Sequence, residues 1–307
     1  MGSCLSGLRR SRKKTVWRKG RMKYLLLVPV RNAEHLLPFF FQSLREMNPK
    51  PDYIVWCTNN NTDKTIKLLK QFQKANSLRI IDVPSEIIQL PDFPKDFVKK
   101  YGAFEAMALV RQRLWERARE LNSEWTFMCD VDEFAVSTGI LGMLSDWDVD
   151  FVVARMFMGT AKDGKMYIAG RWEPDLGMYF KPVIRALIPN KLIVARPAVP
   201  APNALDPTPL SAEGFYCFSR RLVQDRRLNW HPRLILPNVD LKEISEDCGF
   251  CYKTRKLGYK IHLDGITLVD HVIYDSKNKL KPWSKSPEGE RIDVRDFEFE
   301  GSESHEA

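Results

Sequence analysis

The chain has 307 residues, of which 44% are hydrophobic and 28% are charged, and its formal net charge is +9. This balance predicts a globular protein with enough apolar residues for a large core. No stretch approaches the roughly 20 consecutive apolar residues that cross a bilayer, and no secretory signal is evident, so a membrane-spanning or secreted protein is not expected. The cysteines are scattered and several lie in apolar runs, which favours reduced thiols and a cytoplasmic location.

The charge is concentrated at the two ends of the chain. Residues 1–23 carry nine lysines and arginines and no acid, whereas residues 286–307 carry eight acids and two arginines. We therefore expect a flexible basic tail at 1–22 and a flexible acidic tail at 276–307. The start MGSCLS fits the N-myristoylation pattern and precedes a basic run, so peripheral contact with the cytoplasmic face of a membrane is one hypothesis. The alternative is that the first 21 residues are an upstream extension of a start at Met22.

The first part of the sequence alternates short apolar runs with amphipathic segments. Buried strands are predicted at Tyr24–Val30, Tyr53–Cys57, Leu78–Val83 and Trp125–Met128. Helices are predicted at about Glu34–Met47, from Asn61 or Thr62 to about Ala75, and at about Tyr101–Leu121, with Pro84–Lys100 as an insertion or a loop over the sheet. Such β-α-β-α-β order with short loops predicts a parallel sheet covered by helices.

The second part is less regular. Strands are predicted at Phe151–Phe157, Met166–Trp172, Lys191–Ala195, Phe215–Phe218, Tyr259–Leu263 and Thr267–His271. Helices are predicted at about Ile140–Trp147 and Glu246–Leu257, and a proline-rich surface loop at Pro197–Pro209. We expect one α/β domain over 23–275.

Polar residues follow three of the predicted strands. They are Arg31-Asn32, Thr58–Asp63 and Asp130–Glu133. Ligands of open parallel sheets bind at the carboxyl ends of the strands, so these residues are expected to share one site. Asp130 and Asp132 point to the same side of an extended chain, and hard divalent cations prefer such oxygens together with substrate phosphates. A metal–diphosphate site is one interpretation, and an ordinary strand exit with solvated acids is the other.

The order of the motifs carries a resemblance to a known family. PVRNAE, NNNTDKT, VRQRLWERA, DVDEF, SEDCGFCYKTRKLGYKIHLDG and VDHV follow one another between Lys23 and His271. Together they resemble a GT-A glycosyltransferase of the family 2 type. The resemblance implies a Rossmann-like, mostly parallel central sheet with helices on both faces and a nucleotide diphosphate sugar as donor.

The resemblance also divides the domain into a nucleotide-sugar half at 23–136 and an acceptor half at 137–275, and it implies roles for residues of the nucleotide-sugar half. Those matching donor-binding positions are Pro29, Asn32, Glu34, Thr58, Asn61, Asp63, Arg111 and Asp130. Ala33 separates Asn32 from Glu34, unlike the usual family pattern, and Thr58 stands where family members commonly have an acid that contacts the base. Arg111 would approach the diphosphate, and Asp130 would lie near the ribose.

The remaining implied roles concern the metal and the proton. Asp130 and Asp132 match the Asp-x-Asp metal motif, and His271 matches a histidine near the metal, which would be Mn²⁺ or Mg²⁺. Asp247 matches the family's general base. As alternatives, Asp247 is only a first-turn acid that stabilises its helix, His271 is a strand-end residue, and Arg111 lies on a solvated helix face.

These features predict a metal-dependent, non-processive, inverting glycosyltransferase that acts on a glycan, glycolipid or other hydroxyl acceptor. Non-processive action is expected because the Gln-x-x-Arg-Trp motif of processive synthases is absent from the sequence. One alternative is a non-catalytic nucleotide-sugar-binding protein of the same fold. The other is a nucleic-acid-binding protein that uses its basic tail, but the sequence lacks an aromatic stacking platform or basic recognition helix, so nucleic acid is not the expected partner.

Overall fold

A computed structural model describes most of the predicted domain. The described residues are 22–77, 83–135, 137–157, 171–173, 177–179, 205–206, 214–230, 246–274 and 280–282. The predicted basic tail, apart from Met22, and the predicted acidic tail, apart from 280–282, lie outside these residues. None of the described helices combines the length and apolar character needed to cross a membrane.

The first half of the chain forms four strands and four helices. In chain order they are β1 (Tyr24–Val30), α1 (Leu37–Glu46), β2 (Tyr53–Thr58), α2 (Thr65–Ser77), β3 (Ser85–Gln89), α3 (Phe97–Tyr101), α4 (Ala103–Leu121) and β4 (Trp125–Met128). Pro38 lies in the first turn of α1, where the missing N–H costs no helical hydrogen bond. Gly102, at a φ of 91°, separates α3 from α4.

The second half adds mainly strands. In chain order its elements are β5 (Glu133–Ala135), α5 (Ile140–Ser145), β6 (Phe151–Phe157), β7 (Arg171–Glu173), β8 (Gly177–Tyr179), β9 (Leu205–Asp206), β10 (Tyr216–Ser219), α6 (Arg220–Gln224), α7 (Glu246–Lys256), β11 (His262–Tyr274) and β12 (Leu280–Pro282).

The central sheet is mostly parallel, as predicted. Its order is β12-β11-β6-β10-β4-β1-β2-β3, with β5 and β9 paired to β11, while β7 and β8 form a separate pair. Strands β3, β2, β1 and β4 run parallel to one another. Strand β10 comes late in the chain but lies antiparallel between β4 and β6. The second half of the chain is therefore inserted directly beside the first.

The third strand of the described residues lies where the sequence predicted an insertion or a loop. It covers Ser85–Gln89, inside the segment predicted to be an insertion, and pairs in parallel with β2. Pro84 has no N–H, but its carbonyl accepts a hydrogen bond from Ile54 N (3.0 Å) and leads the chain into the strand. All five residues are half-buried or exposed, as expected at a sheet edge, so this strand lacks the apolar run by which a buried strand is predicted. Residues 78–82 lie outside the described part.

Two further predictions are corrected in the second half. The strands predicted at Tyr259–Leu263 and Thr267–His271 are one strand, β11, with a register shift between Asp264 and Leu268. Asp264 accepts a hydrogen bond from Thr267 N (3.1 Å), which accommodates the irregularity. The predicted proline-rich loop contains β9, which pairs with β11. The strand predicted at Met166–Trp172 overlaps β7 only at its end, and the strand predicted at Lys191–Ala195 lies outside the described residues.

The sheet divides the core into two layers. Alternation along β1 sends Leu26 and Val28 into one layer and Leu25 and Leu27 into the other. The second layer joins side chains from both halves of the chain; among its largest are Trp115, Phe218, Trp230 and Phe250. Neither predicted half therefore has a core of its own.

Candidate active site

The loops after β1, β2 and β4 meet at one edge of the sheet. In the parallel register Val30 lies opposite Thr58, and Leu27 lies opposite Met128. Because all three strands run in the same direction, the residues that follow them share the carboxyl edge. The polar clusters predicted at three strand ends are thus neighbours in the fold.

Asn32 and Asn61 link the first two of these loops. Asn32 N donates to Asn61 Oδ1 (2.9 Å), and Thr62 N donates back to Asn32 Oδ1 (2.8 Å). Asn61 Nδ2 also donates to Thr58 Oγ1 (2.6 Å), and Thr58 is fully buried. Asn32 has a φ of 46°, a conformation that asparagine tolerates better than most residues.

Two acids, Glu34 and Asp63, link the same two loops in a similar way. Glu34 N donates to Asp63 Oδ2 (2.9 Å), and Lys64 N donates to Glu34 Oε2 (2.8 Å). The N–H of Thr65, at the start of α2, donates to Asp63 Oδ1 (2.9 Å). Burial tends to raise the pKa of Asp63, but the hydrogen bonds that its carboxylate accepts from Thr65 and Glu34 outweigh burial and hold the pKa below its usual range. We call Asn32, Glu34, Asn61 and Asp63 the loop clasp, because each bonds the backbone of the opposite loop. Pro29, the other predicted donor residue here, is buried within β1.

The Asp-x-Asp turn follows β4. Asp130 N donates to Glu133 Oε2 (2.9 Å), and Glu133 N donates to Asp130 O (3.1 Å), so a buried glutamate closes the turn. Burial raises the pKa of Glu133 well above its usual value. Glu133 begins β5 and lies opposite His271 in the register with β11. The backbone of His271 is thereby placed beside the turn that carries Asp132, while its side chain lies outside the described residues.

Arg111 connects this turn to a distant part of the chain. It lies on α4, and its side chain is only 4% exposed. Its Nη2 donates to both carboxylate oxygens of Asp130 (2.9 and 2.8 Å), and its Nη1 donates to Asp247 Oδ1. Its Nε lies 3.5 Å from Glu246 Oε1. One guanidinium thus holds carboxylates from the metal motif and from the predicted general-base segment.

Glu246 and Asp247 occupy the first turn of α7, where free N–H groups and the helix dipole favour negative charge. Both residues are buried. Burial raises the pKa of Glu246 to about 8, and Asp247 adds to that shift. Burial also raises the pKa of Asp247, while the charge of Arg111 opposes the rise. Asp247 keeps an 11% exposed side chain at the edge of this cluster.

Aromatic residues enclose the guanidinium of Arg111. The ring centroids of Tyr216 and Trp230 lie 5.8 and 5.2 Å from its central carbon. Trp230 stacks on Phe250 with centroids 4.1 Å apart. Tyr216 and Trp230 are each 1% exposed, so they are core residues and do not stack on a sugar in this arrangement.

The acids of the turn fit a divalent cation that is shared with a substrate. Carboxylate oxygens are the ligands that Mg²⁺ and Mn²⁺ prefer, and the Asp130 side chain is 30% exposed. Among the described residues, no group of three or more His, Cys, Asp or Glu is arranged to hold a metal by itself. A cation held by one or two carboxylates and completed by substrate phosphates suits this donor set.

Sequence reasoning identified Asp130, Asp247 and Arg111 but missed the groups that support them. Glu133 was seen only as part of an acidic run, and its bond to Asp130 N depends on the turn geometry. Tyr216 and Trp230 carry no sequence signal for this role, because the position of Tyr216 beside Arg111 depends on β10 lying next to β4. A buried arginine between acids is signalled in sequence only weakly, since α4 carries four other charged residues in the segment 112–119.

Comparison with known proteins gives one family match. Residues 22–169 match the family model described as glycosyltransferase family 25, N-terminal domain. No curated protein sequence matches this chain at a significant level. The matched description names family 25, whereas the motifs resembled family 2.

Solved structures of glycosyltransferases resemble the fold at low identity. TarS from S. aureus has a TM-score of 0.46 at 14% identity, covering 79% of this chain and 35% of TarS. TarS 1–349 in complex with UDP has a TM-score of 0.44 at 14% identity, covering 79% and 57%. The mannosyltransferase PcManGT from Pyrobaculum calidifontis, in complex with GDP-Man and Mn²⁺, has a TM-score of 0.40 at 13% identity, covering 80% and 57%. The chain thus spans about a third of the first structure and little more than half of the others.

The matched region contains β1 to β6, which include the loop clasp and the Asp-x-Asp turn. The chain is therefore similar to that glycosyltransferase family over residues 22–169, somewhat under half of its length, and its fold is α/β with a mostly parallel central sheet.

Proposed function

We propose that this enzyme transfers a sugar from a nucleotide diphosphate donor to a hydroxyl of a glycan, glycolipid or other acceptor, with Mn²⁺ or Mg²⁺ and with inversion. The observation that carries the proposal is the meeting of Asp130 and Asp247 at Arg111. Asp130 follows the end of β4, Asp247 lies in the first turn of α7, and both carboxylates accept hydrogen bonds from the buried guanidinium of Arg111. A donor-side acid and an acceptor-side acid at one edge of the sheet are what this reaction requires.

Asp130 and Asp132 are the residues proposed to hold the metal, with His271 beside them. When bound, the cation would neutralise the charge that develops on the leaving diphosphate. Asp130 is fixed by Arg111 and by its own N–H bond to Glu133. The register of β5 with β11 supports His271 as a neighbour of this turn.

Asp247 is proposed to take the proton of the acceptor hydroxyl. A general base must reach within about 2.6–3.2 Å of the proton-bearing oxygen, and the Asp247 side chain retains 11% exposure at the edge of the buried cluster. Its other side is held by Arg111, which favours the ionised form. Direct attack by the deprotonated hydroxyl on the anomeric carbon inverts its configuration.

The donor itself is proposed to lie along the loops after β1 and β2. The side chains of the loop clasp already bond the backbone of the opposite loop. We propose that the clasp side chains act on the donor mainly by fixing the shape of these two loops, because they are already bonded to backbone N–H groups. Thr58 is fully buried, so its predicted role at the donor is also a proposal.

A screen of nucleotide diphosphate sugars with Mn²⁺, Mg²⁺ or a chelator tests the proposal. We expect wild-type protein to hydrolyse or transfer one donor only when metal is present. Asp132→Asn should abolish metal-dependent donor binding or turnover. Asp247→Asn should keep donor affinity and lower transfer by about 100- to 10,000-fold, the range contributed by a general base.

Asp148→Asn is the matched control, because Asp148 is exposed and has a φ of 51°, which asparagine accepts. It should behave as wild type. Full transfer by Asp247→Asn would refute the assignment of the base. Donor binding without turnover for every donor and acceptor would instead favour the non-catalytic sugar-nucleotide-binding alternative.

A further inference from the structure

Arg111 has a position that binding a diphosphate does not explain. Its side chain is buried, and its terminal nitrogens are already directed at Asp130 and Asp247. A donor phosphate would have to displace one of these carboxylates to reach it. The contacts of Arg111 therefore run between protein groups, one on each side of the proposed reaction.

We propose that Arg111 is a positioning residue: it holds the Asp247 carboxylate at a fixed place relative to Asp130 and does not bind the donor. The inference rests on the proposed function, since it assigns Asp247 to proton removal and Asp130 to the donor side. Two carboxylates this close repel each other unless a cation lies between them. Arg111 supplies that cation from within the protein and so links the acceptor side of the site to its donor side.

The shape of the guanidinium matters as much as its charge. It is planar, and its Nη2 bonds both oxygens of Asp130 while Nη1 bonds Asp247. The direction of the bond to Asp130 thus determines the direction of the bond to Asp247. A lysine ammonium carries the same charge but is a flexible point charge that does not impose this geometry.

The aromatic surroundings fix the guanidinium in turn. Trp230, 5.2 Å from the central carbon of Arg111, is held by its stack on Phe250. Phe250 lies on α7, the helix whose first turn carries Asp247. Helix α7 therefore carries both the proposed base, Asp247, and Phe250, which holds Trp230 against Arg111. A single helix thus positions Asp247 and the guanidinium relative to each other.

The test compares Arg111→Lys with the control Arg113→Lys. Arg113 lies on the same helix, and its side chain is 40% exposed and pairs with Glu116. Steady-state transfer is measured for each with the donor that wild type uses. Misplacing a catalytic group by about 1 Å can cost about 100-fold in rate. We therefore expect Arg111→Lys to lower kcat roughly 10- to 100-fold with donor KM within about threefold, while Arg113→Lys matches wild type.

A double variant shows whether Arg111 acts through Asp247. If it does, Arg111→Lys with Asp247→Asn should be no slower than Asp247→Asn alone, because the positioned group is already gone. Guanidinium ion added to Arg111→Ala should restore part of kcat, whereas ammonium should not. Additive losses in the double variant, or rescue by ammonium, would overturn the proposal.

Other outcomes separate this inference from the proposed function. A raised donor KM with unchanged kcat in Arg111→Lys would make Arg111 a donor ligand and overturn the inference alone. Absence of transfer by wild type with every donor would overturn both. If Arg111→Lys fails to fold by circular dichroism, Trp230→Phe tests the same placement with the charge retained. It should lower kcat without raising donor KM, and an unchanged kcat would count against the proposal.

Discussion

Asp225 shows how one residue joins two elements in the second half of the chain. It follows α6, and its Oδ2 accepts hydrogen bonds from Arg227 Nη2 (2.6 Å) and from the hydroxyl of Tyr259 (3.0 Å), just beyond α7. Its Oδ1 accepts from Arg227 N (3.0 Å). The hydrogen bond from the Arg227 side chain is the largest of the effects that hold the pKa of Asp225 well below its usual range. The carboxylate is therefore stabilised in its ionised form only while the protein is folded.

This shift gives stability a defined dependence on pH. A carboxyl whose pKa is lowered by folding contributes stability above the pKa of the unfolded chain, about 3.9 for aspartate, and loses it as pH falls towards the folded value. Asp225→Asn should thus be less stable than wild type at pH 7, and the difference should shrink between about pH 4 and pH 2. Urea unfolding at several pH values measures it, with Asp148→Asn as the control. A difference that stays constant over this range would contradict the prediction.

At the scale of elements, the loop clasp determines how β1 and β2 end. The strands are paired by register up to Val30 and Thr58, and the clasp continues the pairing through side chains where the ladder stops. Backbone N–H groups beyond the end of a strand need hydrogen-bond partners other than the neighbouring strand. The side chains of Asn32 and Asp63 provide them, since Asn32 accepts from Thr62 N and Asp63 accepts from Glu34 N.

Asn32→Gly isolates the contribution of one clasp side chain. Glycine accepts the φ of 46° at this position, so the change removes the bond to Thr62 N without straining the backbone. We expect a loss of about 1 kcal/mol in unfolding free energy and a several-fold weaker donor affinity, measured by urea unfolding and by calorimetric titration. Asn122→Gly, at a φ of 52° at the end of α4, should leave donor affinity unchanged. Equal donor affinities for Asn32→Gly and wild type would show that the clasp does not shape the site.

The elements also show which features are encoded locally. The strands at Tyr24–Val30 and Trp125–Met128 were predicted because their apolar runs are continuous, as burial on both faces requires. The edge strand Ser85–Gln89 was not, because a half-exposed strand lacks that run. The Asp-x-Asp turn and Asp247 came from the motif order, but their junction at Arg111 depends on long-range packing of α4 against α7. No local pattern contains that information.

At the scale of the whole molecule, the two predicted halves share their interior. Strand β10 of the second half pairs with β4 of the first half, so one sheet continues across the boundary between the two halves. Arg119 on α4 donates to the carbonyl oxygens of Val223, Asp225 and Leu228 (2.8, 2.7 and 2.6 Å). Trp115, also on α4, packs edge-on against Phe218 and Phe250 with centroids 5.0 and 5.2 Å away. We therefore expect the first half of the domain to depend on the second for its stability.

Phe250→Ala tests this dependence. Phe250 is 1% exposed and contacts Trp115, Phe218 and Trp230. Removing a buried phenylalanine costs about 3–5 kcal/mol through lost burial and the cavity left behind. If the core is one cooperative unit, the loss must appear in β1 as well as in β10, although neither contains the substituted residue. Hydrogen exchange followed by mass spectrometry should therefore show faster global exchange in peptides from both 24–30 and 214–230.

Phe39→Ala is the matched control, because Phe39 is 42% exposed on α1. This variant loses the same side-chain atoms as Phe250→Ala, but much of the Phe39 side chain is exposed to solvent, so little burial is lost and the effect on hydrogen exchange should be small. Faster exchange confined to 214–230 in Phe250→Ala would mean that the first half is held by its own contacts, chiefly the layer around Phe40 and Trp56. In that case the donor loops would keep their geometry when the acceptor half opens, and donor binding would survive conditions that abolish transfer.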